Sequence, residues 1–280
     1  TPEYAAENSS QPLLNVCISF GILETFFIIS FIFSWHYNRR NSNNSKTFYL
    51  LILLGYIFCF AGVVSGILMI TIAGAGYHVQ TVPDGKIRTM LKLVKVHELV
   101  YIASIPLPKI AILCLYLRLF RGKKTRIAIY GTGLIIVGTF LFGIVSAFAN
   151  CRPFHWFWDR KVKSHCTMDI MTAFRFYSIP NMAADVIVLL IPLPALRKLQ
   201  VGVMTKVGVY LTFLSLAMGL LTAILRFISF MNDDFFHDLT YLAPSMTSWT
   251  IIEPGVYLIA ATMPTLRPLI RQVFKEVNKV

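Results

Sequence analysis

The sequence predicts an all-α, polytopic membrane protein: seven transmembrane helices in a single domain over residues 1–280, N-terminus outside and C-terminus in the cytosol. Three observations predict it. The chain is only 14% charged, against about 25% for a soluble domain. Its mean hydropathy is +0.66 and its residues are 56% hydrophobic. The charges cluster between apolar runs, and seven of those runs reach the roughly 20 residues that a bilayer requires. A buried soluble core would explain one such run, not seven in succession.

Apolar length places the spans at about 13–37, 48–73, 94–120, 127–149, 172–196, 205–231 and 243–267. The first carries one charge, Glu24, expected to be a protonated carboxyl hydrogen-bonded to a neighbour. The second carries Gly55, Cys59, Gly62 and Gly66 at helical spacing, a small-residue face that lets another helix approach closely. The third contains Pro106, Pro108 and, directly after them, Lys109. The fourth rests on apolar length alone. The fifth, sixth and seventh each pair apolar length with a polar stripe. These are Ser178, Asn181 and Asp185; then Ser215, Gly219, Thr222, Arg226 and Ser229; then Met246, Trp249, Glu253 and Tyr257. Prolines in the third, fifth and seventh spans remove helix hydrogen bonds and are expected to kink the bundle and open cavities.

Lys and Arg set the orientation. Fifteen fall in one set of loops, among them Arg118, Arg121, Lys123, Lys124 and Arg126, and eight fall in the other. The richer set is expected to face the cytosol. The acidic residues outside the spans lie almost all on the opposite side. The sequon at Asn8 falls there too and is an expected glycosylation site, whereas the one at Asn43 faces inward. Cys151 and Cys166 share one outer loop, in an oxidising compartment, and are expected to form a disulfide. Cys17, Cys59 and Cys114 lie singly in separate spans and read as small apolar residues. The net charge of +13 is explained by the inner loops, so no nucleic-acid partner is expected.

Ionisable residues inside spans cost roughly 2.5–3.5 kcal/mol each on insertion scales and mark function by default. Here they are Glu24, Lys95, Glu98, Lys109, Asp185, Arg226 and Glu253. Lys95 lies near a helix end, where it can snorkel. Glu98 and Lys109 are eleven residues apart, about 20° around a helix, and share a face with Tyr101. Depth pairs Lys109 with Asp185 near mid-membrane. It groups Glu98, Arg226 and Glu253 nearer the outer surface, with His78 and His97 at the same mouth. The expected site is therefore an outer polar pocket above a deeper ion pair. Its candidate ligand-binding residues are Glu98, Tyr101, Arg226, Trp249, Glu253, Tyr257, His78, Lys109 and Asp185. No metal and no cofactor is expected.

The stretches KIAILCLYLRLF, CRPFHWFWD with a second cysteine at 166, NMAADVIVLLIPLPALRKLQ and MPTLRPLI resemble the fungal rhodopsin-like seven-helix family, as do TPEYAAEN and GAGYHV. That family takes in Pth-type proteins regarded as G-protein-coupled receptors and integral membrane proteins of fungal secondary-metabolite clusters. The resemblance covers nearly the whole chain. It implies the fold and a place in the plasma membrane or an endomembrane. It also carries His78, Lys109, Arg118, Cys151, Pro153, Trp158, Cys166, Asn181, Asp185, Pro192, Pro194, Arg226, Glu253 and Pro264 as motif positions. Retinal is not expected, because the seventh span has no lysine for a Schiff base. The inner end of the third span lacks an acidic–Arg–aromatic triplet, so G-protein coupling would rest on topology alone.

The leading functional expectation is a receptor-like protein. A small, largely apolar molecule would enter the outer pocket, and a cytosolic signalling partner could meet the basic inner loops. The alternative is an intramembrane enzyme of fungal secondary metabolism. It would cyclise or isomerise a lipophilic intermediate by acid–base chemistry, with Glu98 or Glu253 as acid and Asp185 or His97 as base. A transporter reading is weaker, because no inverted repeat is evident.

Overall fold

The structure is a computed structural model that describes residues 7–38, 46–120, 122–149, 151–159, 165–166, 170–193, 203–232 and 238–277. It is almost entirely helical. The α-helices among these residues are α1 (Gln11–Asn38), α2 (Lys46–Ala73), α3 (Asp84–Ser104), α4 (Pro106–Leu119), α5 (Lys123–Ala149), α6 (Ile170–Leu190), α7 (Val203–Asn232) and α8 (Leu239–Val277). Among the described residues five segments are long and apolar enough to cross a membrane: Gln11–His36, Lys46–Ala73, Asp84–Leu119, Lys123–Ala149 and Thr212–Ser229. A shorter apolar helix covers Phe176–Leu190.

The expected third span divides at Ile105, and chemistry explains the division. Pro106 and Pro108 have no N–H to give to the preceding turn, so the hydrogen-bond ladder lapses there. Ile105 keeps helical angles (φ −66°, ψ −49°), so α4 continues from α3. The helix also starts ten residues before the expected 94, at Asp84, whose carboxylate suits the first turn. α6 stops at Leu190, and residues 194–196 of the expected span lie outside the described residues. Pro192 follows closely, and the residue before a proline avoids the α region.

α8 covers the expected seventh span but is too polar to count as a spanning helix by composition alone. Its surroundings account for this. It packs against α1, α2, α3, α4 and α7, so much of its surface meets protein rather than lipid. Contacts α1–α2, α2–α3, α4–α5, α5–α6 and α6–α7 complete a ring. The outward faces carry exposed apolar side chains such as Phe26, Ile127, Leu134 and Leu214. The charges go inward: Glu24, Lys109, Arg226 and Glu253 are 0% exposed. This is the arrangement a lipid solvent favours.

At one end, Gly74 and Gly76 turn the chain from α2 towards α3 with positive φ (74° and 105°). Gly76 is required twice over, because a Cβ there would lie 2.4 Å from Asn8 Oδ1. A two-residue antiparallel ladder follows α5, with Cys151 opposite Cys166 and Arg152 opposite His165. Arg88 of α3 ties this loop down through Asp159 at 2.9 Å.

Candidate functional site

Four of the buried charges form one network. Glu253 of α8 accepts from Arg226 Nε (α7) and from the Tyr101 hydroxyl (α3), both at 2.8 Å on Oε2. Its other oxygen accepts from Asn181 Nδ2 of α6 at 2.9 Å. Asn181 turns its own oxygen to Lys109 Nζ of α4, again at 2.9 Å. Lys109 is ion-paired with Asp185, one turn along α6, and its ammonium lies 4.5 Å from the centroid of the Tyr257 ring. Arg226 also donates to Ser178 Oγ at 3.1 Å and stacks over Tyr101 at 5.2 Å.

Helical periodicity builds this cluster. Ser178, Asn181 and Asp185 follow i, i+3, i+7 spacing and so share one face of α6. Gly219 gives Tyr257 its place: a Cβ there would sit 2.7 Å from the ring. Two cations and two carboxylates sum to zero charge. Desolvating each ion costs several kcal/mol, which only good geometry and extra hydrogen bonds repay. Glu253, with three donors, has both.

The profile of the fungal rhodopsin domain matches residues 36–272 of the 280. The chain belongs to the fungal rhodopsin domain family. Two curated relatives agree. A polyenoic acids biosynthesis gene cluster protein, Ba17b of Metarhizium anisopliae, is 33% identical over 72% of this chain and 58% of its own length. A SAT4 family membrane protein of Emericella nidulans is 26% identical over 72% of this chain and 51% of its own. The chain thus spans a little over half the length of these relatives. It is an integral membrane protein.

Within this fungal rhodopsin domain, Arg226 with Glu253 and Lys109 with Asp185 stand as the sequence suggested, with Tyr101 and Tyr257 beside them. Other residues correct the expectation. Glu98 does not join Arg226 and Glu253. It binds Lys95 at 2.7 Å, one turn away on the same helix, because a local i,i+3 partner is already at hand. Lys95 does not snorkel: it is 8% exposed, and its ammonium lies 4.7 Å from the Phe157 ring and 5.9 Å from Phe154. Glu24 lacks the expected hydrogen bond, since neither oxygen has a partner among the described residues. It packs instead against the bare backbone of Gly255, where a Cβ would lie 2.7 Å from Oε1.

His97 is buried and bridges helices, Nδ1 to Ser65 Oγ of α2 at 2.6 Å and Nε2 to Thr250 Oγ1 of α8 at 2.7 Å. Trp249 is half-buried one turn from Glu253. Asn181 and Ser178 were legible as a stripe but not as the link between the two ion pairs.

His78 lies apart, in a clasp outside the spans. Nδ1 meets Asp238 at 2.5 Å and Nε2 meets Glu7 at 3.5 Å. The ring stacks on Tyr241 at 4.1 Å, and the Tyr241 hydroxyl donates to Glu7 at 2.6 Å. The bond to Asp238 raises the His78 pKa above its usual 6.5, against the opposing effect of burial. The Tyr241 and His78 hydrogen bonds lower that of Glu7. The raised His78 value means its stabilisation is complete below about pH 6.5 and lost as pH rises through the folded value. The lowered Glu7 value gives stabilisation present above about 4.5 and lost as pH falls through the folded value. The clasp therefore loosens on the alkaline side through His78. Amide exchange across residues 76–82, corrected for intrinsic rate, is expected to accelerate as pH rises past 6.5. His78→Gln should flatten that response; an unchanged profile would show that His78 does not hold the clasp.

Proposed function

We propose that this chain is a receptor-like seven-helix membrane protein, N-terminus outside, that binds a small, largely apolar molecule towards the outer side of the bundle. The observation that carries this reading is the closed network. Both Glu253 oxygens are occupied by donors and Asp185 is held by Lys109. Neither carboxylate offers a loose proton for acid–base work, but each links helices whose relative positions a ligand could shift. The positive loops around Arg118–Arg126 support the orientation and would meet a cytosolic signalling partner. The same reading includes a Cys151–Cys166 disulfide, supported by their facing register, and a sugar on Asn8, which is exposed.

The cluster relative suggests the ligand class: a long unsaturated carboxylic acid, whose carboxylate would compete with Glu253 for Arg226. The test is titration of the purified protein with parinaric acid, a conjugated tetraenoic acid whose fluorescence rises in apolar sites. Saturable binding, with the acid recovered unchanged, is expected. Arg226→Gln with Glu253→Gln keeps hydrogen-bonding groups in place, and should weaken binding about tenfold or more. No saturable signal in the native protein would contradict the proposal.

A second reading, an intramembrane enzyme of secondary metabolism, is favoured by one feature, His97 flanked by hydroxyls on both ring nitrogens. Recovery of an isomerised or cyclised acid, abolished by His97→Gln, would select it.

A further inference from the structure

Away from the network, a groove of about 480 Å³ runs between α5 and α6, lined by Ile135, Gly138, Thr139, Phe142, Phe176 and Pro180. Its size falls within the range of small-molecule sites. It opens on the outer surface of the bundle, where Phe176 and Phe142 are 57% and 39% exposed. No charged residue lines it among the described side chains. Its polar groups are all of one kind. Pro180 lies inside α6 and has no N–H to give to the Phe176 carbonyl one turn earlier. The Thr139 hydroxyl spends its proton on the Ile135 carbonyl at 2.7 Å and keeps its lone pairs. Among the described residues the groove thus offers acceptors and no side-chain donor.

We infer that this groove binds a lipophilic alcohol, its apolar body along α5 and α6 and its single hydroxyl donating to the Phe176 carbonyl. A hydrocarbon tail alone brings no donor in place of the N–H that Pro180 lacks, an omission that costs more in lipid. A carboxylic acid brings a second oxygen for which the described lining has no donor. The site is separate from the interior network, and its test does not depend on parinaric acid binding. The two are adjacent, however. Pro180 precedes Asn181, so the outer face of α6 holds the alcohol while its inner face holds Lys109 and Glu253 together.

Gly138 supplies a clean test. A Cβ there meets nothing within 4 Å, and the same is true of Gly131, which does not line the groove. Gly138→Leu therefore starts its side chain in open space and extends it into the groove, and Gly131→Leu, seven residues away on the same face of α5, controls for the added side chain. The probes are hexadecanol with a mid-chain diazirine, its methyl ether and the matching hexadecanoic acid, in vesicles of diphytanoyl phosphatidylcholine, which lacks hydroxyls.

The alcohol is expected to label residues 135–142 and 176–180 about fivefold more than the ether, the worth of one hydrogen bond. Gly138→Leu should abolish that labelling and Gly131→Leu should leave it. Pro180→Ala restores the N–H and should bring alcohol and ether level. Equal labelling by the ether, stronger labelling by the acid, undiminished labelling in Gly138→Leu, or an alcohol preference that survives Pro180→Ala would each overturn the inference.

Discussion

Replacing Arg226 with methionine is expected to lower stability by about 3–5 kcal/mol, read as the midpoint of unfolding in detergent. The side chain is 0% exposed and provides Nε to Glu253 and Nη1 to Ser178. Its loss leaves Glu253 charged in a dry interior, with Tyr101 and Asn181 as its donors among the described residues. Adding Glu253→Met removes the lone charge but does not restore the native value. The Tyr101 hydroxyl and the Asn181 amide are then left without their acceptor, at about 1–3 kcal/mol for each buried group. A native midpoint in the single variant would mean that Arg226 reaches lipid headgroups or water rather than Glu253.

The second large effect is expected at Lys109. Lys109→Met strands Asp185 and should also cost about 3–5 kcal/mol. Here the companion change behaves differently. Asp185 has Lys109 as its ion-pair partner, so Lys109→Met with Asp185→Leu removes both charges and leaves chiefly the Asn181 oxygen without its donor. Replacing a buried pair by apolar residues is often neutral or stabilising. The double variant should therefore recover most of the loss, whereas the Arg226–Glu253 double should not. Equal recovery in both would contradict the hydrogen-bond assignments around Glu253.

Much of this was readable in advance because lipid punishes misplaced charge. Each in-span charge had to face inward, so Lys109, Asp185, Arg226 and Glu253 were marked by composition alone. Depth along each span then suggested their pairing. Tyr101 and Tyr257 followed from helical phase. The link through Asn181 was not readable, because an amide costs little enough to sit in many places and its spacing fits a packing stripe equally well.

Glu98 was misread for a related reason. Depth placed it near Arg226, but the helix itself brings Lys95 within 2.7 Å, and local geometry prevails over distant charge. Glu24 needed knowledge of Gly255, which lies on a helix more than two hundred residues away. The split of the third span at Ile105 was implicit in Pro106 and Pro108, whereas its early start at Asp84 left no trace in hydropathy.

The central claim is that the two ion pairs act as one unit through Asn181. A double-mutant cycle of Lys109→Met and Arg226→Met, repeated in an Asn181→Leu background, tests it most directly. The account predicts a coupling energy of roughly 0.5–3 kcal/mol with Asn181 present and a sharp fall without it. Strict additivity in both backgrounds would show two independent pairs and contradict the account.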